Sequence, residues 1–133
     1  MYVLDYTCYS NAKFIKYMEE LHTKIYSKSM SIQTELRLTD GNGMVDHSRK
    51  ALFYMIDGNS NIPKNAKEYK ERKEKFDKAL FHLQEMEPMM ASFFKRRRVS
   101  NDSIKQLSDL HTKTIKLLRS IIASDKKRFS KLI

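Results

Sequence analysis

The chain has 133 residues and carries 26 Lys and Arg against 16 Asp and Glu, a formal net charge of +10. This length is typical of one domain, and a hydrophobic share of 41% is sufficient for a folded core. Only three Gly and two Pro occur, too few turn residues for an all-β sandwich or barrel. We therefore predict one helical domain over residues 1–133, with residues 1–9 and 128–133 as flexible ends.

The single cysteine, Cys8, cannot form an internal disulfide, and a lone thiol is typical of a reducing compartment. No apolar run approaches the ~18 residues that a membrane span requires. The first ten residues also lack the basic and then apolar pattern of a signal peptide. We expect a cytoplasmic protein with no membrane association.

Two helices are predicted in the neutral first half of the chain. Phe14, either Tyr17 or Met18, Leu21 and Ile25 recur at helical spacing and predict a long first helix from about residue 10 to 37. Asp40-Gly41-Asn42-Gly43 ends this helix, because Gly and Asn tolerate the conformations of a turn. A shorter second helix is predicted at about 44–57, before Gly58 and Pro63.

Two longer helices are predicted in the basic second half. The third begins near Lys64 and reaches residues 95–98, with a kink near Pro88, since proline lacks the amide proton that a helix interior uses. Ser100 is a predicted N-cap for the fourth helix, which ends between Asp125 and Lys127. Four helices with short connections predict an all-α, antiparallel up-down four-helix bundle.

All of the surplus charge follows residue 60, with a net +5 in residues 61–100 and another +5 in residues 101–133. Four adjacent cations at 95–98 repel one another and are best neutralised by phosphates, although an acidic protein surface or plain solvation is an alternative. The predicted nucleic-acid-binding residues are Lys95, Arg96, Arg97, Arg98, Lys113, Lys116, Arg119, Lys126, Lys127 and Arg128.

A third basic cluster at the start of the third helix alternates with acids and is predicted to be a solvated face with many ion pairs. Its cations are Lys64, Lys67, Lys70, Arg72, Lys73, Lys75 and Lys78, and its acids are Glu68, Glu71, Glu74 and Asp77.

Few residues point to catalysis or metal binding. Glu19 and His22 have the Glu-x-x-His spacing of di-iron bundles, but such sites need a second motif that this chain lacks. Cys8 has no C-x-x-C partner for a zinc site. We predict no enzymatic activity, no cofactor and no metal, and a bundle enzyme centred on Glu19 and His22 is the least favoured alternative.

The order of helices, together with "KFDKALFHLQEMEPMMASF" and "VSNDSIKQLSDLHTKTIKLLRSI" within residues 72–121, resembles one known superfamily. It contains the accessory protein of diversity-generating retroelements (accessory variability determinant, Avd) and the ribosomal RNA intervening-sequence proteins. The resemblance implies a non-enzymatic, basic four-helix bundle that forms a homo-oligomer, a pentamer, binds RNA or DNA and partners a reverse transcriptase.

Our leading hypothesis is a nucleic-acid-binding accessory protein that contacts phosphates through a basic helical face and assists a reverse transcriptase or a similar enzyme. The alternative is an adaptor or regulator whose basic face docks an acidic protein partner.

Overall fold

A computed structural model describes residues 12–30, 41–96 and 100–132 of the chain. Within these ranges the protein is all-helical and contains no strand. The elements are α1 (Lys13–Met30), α2 (Asn42–Gly58), α3 (Ala66–Arg96), α4 (Asn101–Arg128) and a terminal 3₁₀ turn (Ser130–Leu132). The predicted all-α class with four helices is confirmed.

The helix boundaries follow local chemistry. Ser100 caps α4, because its hydroxyl accepts a hydrogen bond from the Ser103 amide at 3.2 Å, as the sequence predicts. α3 begins at Ala66, two residues after the predicted start, and the side chain of Asn65 accepts from the Glu68 amide at 2.9 Å. The predicted continuation of the first helix over residues 31–37 lies outside the described residues, as does Cys8.

The core joins all four helices. α1 and α3 each pack against both α2 and α4, and the most extensive interface is between α2 and α3. The rings of Phe14 and Phe76 meet edge to face with their centroids 5.8 Å apart, as apolar aromatic pairs prefer. Fully buried members of the core include Ile15, Met18, Leu21, Ala51, Met55, Phe76, Ala79, Leu83, Met86 and Leu118. This arrangement is consistent with a four-helix bundle.

α3 continues through Pro88 without interruption and is 31 residues long. Proline removes the amide proton that would otherwise bind the Gln84 carbonyl. Both residues are exposed, so water can reach this part of the helix. The predicted kink at Pro88 stays a prediction.

The C-terminal end of the chain contributes to the core through one aromatic ring. Phe129, which follows α4, is 8% exposed and its ring lies 6.0 Å from that of Tyr69 on α3. The predicted flexible end at 128–133 therefore contains a residue that packs inside the protein. None of the helices in the described ranges is long and apolar enough to cross a membrane.

Candidate nucleic-acid interface

A buried ion pair joins α3 to α4. Arg72 Nε donates to Asp125 Oδ2 at 2.6 Å, and Arg72 Nη2 donates to Asp125 Oδ1 at 3.2 Å. The side chains are only 9% and 6% exposed. Two parallel hydrogen bonds fix the planar guanidinium against the planar carboxylate, which is the strong geometry for this pair. Arg72 is therefore a buried structural residue, and its predicted place on a solvated face is wrong.

The same guanidinium also holds the end of α2 and the loop that follows it. Arg72 Nη1 donates to the Gly58 carbonyl at 3.1 Å and to the Asn61 carbonyl at 3.4 Å. It lies over the rings of Phe76 and Phe129, 4.8 and 5.9 Å from their centroids. Three helices and the C-terminal segment therefore converge on one buried cation.

The burial of Asp125 changes the surface charge of α4. Asp125 is the only carboxylate between residues 113 and 131, a stretch that contains seven cations. Because Asp125 points inward to Arg72, no exposed carboxylate remains in this stretch. The seven cations, all exposed, are Lys113, Lys116, Arg119, Lys126, Lys127, Arg128 and Lys131.

None of these seven cations forms an ion pair in the part of the chain that the structure describes. Arg128 lies over the Phe129 ring at 4.9 Å, an interaction that leaves its charge intact. Lys113 shares a groove between α1 and α4 with Glu20, Lys24 and Asp109. We use the name α4 basic face for the six remaining cations, which are exposed and form no ion pair among the described residues: Lys116, Arg119, Lys126, Lys127, Arg128 and Lys131.

The predicted basic block at 95–98 is described only in part. Lys95 is exposed near the end of α3, and it has no ion-pair partner among the described residues. Arg96 is the last residue of α3, and its side chain lies outside the described part of the structure. Arg97 and Arg98 lie wholly outside the described residues.

Two lysines of α3 form ion pairs, in contrast to the cations of α4. Lys73 pairs with Asp77 at 2.9 Å, and Lys75 pairs with Asp57 of α2 at 3.2 Å. The Asp77 carboxylate raises the pKa of Lys73 by accepting its hydrogen bond and by its charge. Lys73 and Lys75 therefore match the predicted solvated face with ion pairs, whereas Arg72 does not.

The histidine of the Glu19-x-x-His22 motif contacts α2. His22 Nδ1 lies 2.7 Å from the Ser48 hydroxyl, whose own proton goes to the Val45 carbonyl at 3.0 Å. Since a hydroxyl has one proton, Nδ1 of His22 donates here. Burial, and then the charge of Arg49, lowers the pKa of His22. Across the described residues, no group of three or more His, Cys, Asp and Glu side chains could hold a metal ion.

Two further histidines meet between α2 and α3. His47 Nδ1 and His82 Nδ1 are 2.9 Å apart, and both rings are half-buried. No motif in the sequence brings these residues together, since 35 positions separate them.

The burial of Arg72 and Asp125 could have been predicted from the sequence. Asp125 follows Leu118 by seven residues, and Arg72 precedes Phe76 by four. Each charged residue therefore lies on the apolar side of its predicted helix.

No family model matches the chain, and comparisons with curated proteins and with solved structures likewise give no match.

Proposed function

We propose that this protein is a non-enzymatic nucleic-acid-binding accessory protein that contacts phosphates through the α4 basic face. The observation that carries this proposal is the inward orientation of Asp125, which leaves the cations of residues 116–131 without an exposed carboxylate. Arg96, Arg97 and Arg98 extend the contact as a second cluster beside Lys95.

Phosphates are the ligands that best satisfy such a surface. Unpaired cations on one helix repel one another, and a polyanion removes this repulsion while releasing its own condensed counterions. At 1.5 Å per residue, Lys116 and Lys131 are separated by about 22 Å along α4 and its extension. This length corresponds to about six phosphates along one strand of a duplex. Contacts of this kind position a protein on nucleic acid without reading its sequence.

The decisive experiment is a salt titration of binding. Fluorescence anisotropy with labelled RNA and DNA, between about 50 and 200 mM salt, gives the slope of log K against log salt. The variant K116Q/R119Q/K127Q should flatten that slope by about two to three, because each lost phosphate contact contributes about 0.7 to 0.9. The matched control K67Q/K70Q/K73Q removes the same net charge from the acid-rich surface of α3 and should leave the slope close to that of the unmodified protein.

Equal slopes for the two variants would contradict the proposal, because binding would then follow total charge and not the α4 basic face. The competing function, docking of an acidic protein, predicts no binding to either nucleic acid. A partner recovered by pull-down after nuclease treatment would favour that function. The contribution of the second cluster is measured separately with R96A/R97A/R98A, which should also flatten the slope.

The proposed bundle is antiparallel and up-down. This topology is supported by the link from Arg72, early in α3, to Asp125, late in α4. It is also supported by the approach of Lys28, near the end of α1, to Ser103, near the start of α4, at 3.3 Å. In chain order the 95–98 block precedes α4 and the cations of 126–131 follow at its end, with Lys116 and Arg119 between them. The kink near Pro88 is part of the same proposal.

Three further parts of the proposal rest on the sequence alone: assistance to a reverse transcriptase or similar enzyme, a homo-oligomeric state and a cytoplasmic location. A reverse transcriptase gene beside this reading frame would support the assisting role. Light scattering coupled to size-exclusion chromatography measures the second, and a monomer would contradict the pentamer that the resemblance implies.

A further inference from the structure

The contact between His47 and His82 has the geometry of a hydrogen bond between two imidazoles. Their Nδ1 atoms are 2.9 Å apart and their ring centroids 5.2 Å apart. This centroid separation is about as large as that N–N distance permits for two five-membered rings. Both Nδ1 atoms therefore lie near the line between the centroids and face each other directly. A proton fits between them. A metal ion bound by both nitrogens would instead require the two lone pairs to point to a common position beside the line that joins the nitrogens.

The pair lies in an aromatic surface between α2 and α3. The Tyr54 ring stacks on His82 with an interplanar angle of 7° and a centroid distance of 5.7 Å. Phe81 meets His82 edge to face at 5.3 Å, and Lys78 lies 5.6 Å from the Tyr54 centroid. The charged and titratable groups around the two rings are Asp46, Lys50 and Tyr54 on α2, and Lys78 and Glu85 on α3. Arg49 and Lys50 both pair with Asp46.

The number of protons on the pair decides whether this contact can exist. A neutral imidazole has one N–H and one acceptor nitrogen, so two neutral rings form one hydrogen bond. If the donor ring gains a proton at its other nitrogen, the bond becomes charge-assisted and persists. If both rings are protonated, both Nδ1 atoms carry protons, no acceptor remains, and two positive charges face each other.

We propose that His47 and His82 form one proton-sharing site that holds α2 against α3 and opens when both rings become protonated. Acid then separates the two rings, removes the stack with Tyr54 and loosens the interface between α2 and α3 at this surface. Because the two Nδ1 atoms share one proton, protonation of one ring depends on the state of the other.

The electrostatics agree in direction with the geometry. Burial, followed by the proximity of His47 and Lys50, lowers the pKa of His82, while Asp46 and Glu85 act in the opposite direction. A histidine whose pKa is lower in the folded than in the unfolded chain contributes stability above the ordinary value of about 6.5. That contribution is lost as the pH falls through the lower, folded value.

NMR titration of the imidazole signals tests the proposal in the full-length protein, in buffer containing EDTA. In the unmodified protein the signals of both rings should follow the same two steps, separated by more than about one pH unit. Amide hydrogen exchange along α2 and α3 near the pair should accelerate with the lower step. In H82Q the signal of His47 should follow a single step, and H47Q should do the same for His82. The control H22Q removes a different interhelical histidine and should leave both steps unchanged.

Three results would overturn the inference. The first is a His47 titration curve that is the same in H82Q as in the unmodified protein. The second is an H22Q variant that loses the two-step behaviour, because the coupling would then arise elsewhere. The third is coupling that is present only when Zn²⁺ replaces EDTA, which would identify a two-imidazole metal site in place of a shared proton.

Discussion

Arg72 and Asp125 form a buried, two-point hydrogen bond that joins the beginning of α3 to the end of α4. The same guanidinium binds the carbonyl of Gly58, the last residue of α2. One ion pair thus connects three helices, and it also removes from the surface the only carboxylate among the cations of residues 113–131. The packing of the bundle and the charge of its basic face depend on the same side chain.

The first prediction concerns Asp125→Ala. The variant leaves the Arg72 guanidinium buried without a counter-charge, a state that costs about 3–5 kcal/mol of unfolding free energy in comparable proteins. Urea denaturation followed by circular dichroism measures the loss. The control Asp109→Ala removes an exposed carboxylate that has no ion-pair partner among the described residues, and it should change stability by less than about 0.5 kcal/mol.

The double variant R72M/D125L separates the cost of an unpaired charge from the value of the pair. It removes both charges and fills the space with apolar atoms, so it should be more stable than Asp125→Ala alone. It should remain less stable than the unmodified protein, because the Gly58 and Asn61 carbonyls lose their donor. A double variant less stable than the single one would contradict this account.

The second prediction compares the two glycines of α2. A Cβ on Gly58 would lie 2.7 Å from Phe76 Cε1 and 2.9 Å from Cδ1. Phe76 is fully buried against Phe14 and has no room to move. Gly58→Ala should therefore destabilise the protein by about 1–3 kcal/mol, as overpacked cores do, measured by thermal unfolding.

Gly43→Ala is the matched control for this substitution. Its Cβ would meet only the end of the Met89 side chain, at 2.9 and 3.2 Å, and Met89 is half-buried and flexible. Replacing glycine within a helix can gain up to about 1 kcal/mol. Gly43→Ala should consequently be neutral or stabilising. Equal losses at both positions would contradict the prediction, because the loss would then not depend on the contact with the Phe76 ring.

The third prediction concerns the N-cap of α4. Ser100→Ala removes the acceptor of the Ser103 amide and the hydroxyl contact with Ser103 Oγ at 3.0 Å. We expect a loss of about 1 kcal/mol in unfolding free energy. Ser120→Ala is the control. This exposed hydroxyl donates to the Lys116 carbonyl, which is also the acceptor of a backbone hydrogen bond within α4, so its removal leaves no backbone group without a partner. A loss at Ser120 as large as that at Ser100 would contradict the capping role.

The fourth prediction is a dependence of stability on pH at His22. Burial and Arg49 lower the pKa of His22 in the folded chain. Its contribution is therefore complete above about pH 6.5 and decreases as the pH falls through the lower, folded value. Urea midpoints at about pH 7.5 and about pH 5.5 should differ less in His22→Gln than in the unmodified protein. Identical differences in the two proteins would contradict the prediction.

The helices could be predicted from sequence because their signals are local. Apolar residues at helical spacing and the Ser100 cap each act within a few positions of the chain. The turn predicted at Asp40-Gly41-Asn42-Gly43 is wrong at its last three residues, because Gly41 has helical backbone angles and α2 already begins at Asn42. The described parts of α1, α2, α3 and α4 fall within three residues of the expected bounds wherever these ends are described.

The contacts between helices could not be predicted from local sequence patterns. The sequence surroundings of Arg72 are the same as those of the neighbouring lysines and predict a solvated side chain, although its position on the helix places it toward Phe76 and Asp125. The approach of His47 to His82 depends on the register between α2 and α3, which no single helix encodes. The cations of α4 were predicted, but the inward turn of Asp125 that isolates them was not.

The last prediction concerns a variant in which two glutamates are introduced among the cations of the α4 basic face. Ser120 and Ser124 are exposed, and Ser120 lies one turn after Lys116, while Ser124 lies one turn before Arg128. In S120E/S124E, the new acids pair with these cations and repel phosphates, so nucleic-acid affinity should fall by at least tenfold at low salt and the salt slope should flatten. The control S120Q/S124Q adds side chains of similar size without charge and should bind as the unmodified protein does. Anisotropy measurements on both variants check the outcome. If the glutamate variant retained full affinity, phosphates would have to bind elsewhere on the molecule, and the orientation of Asp125 would have no bearing on function.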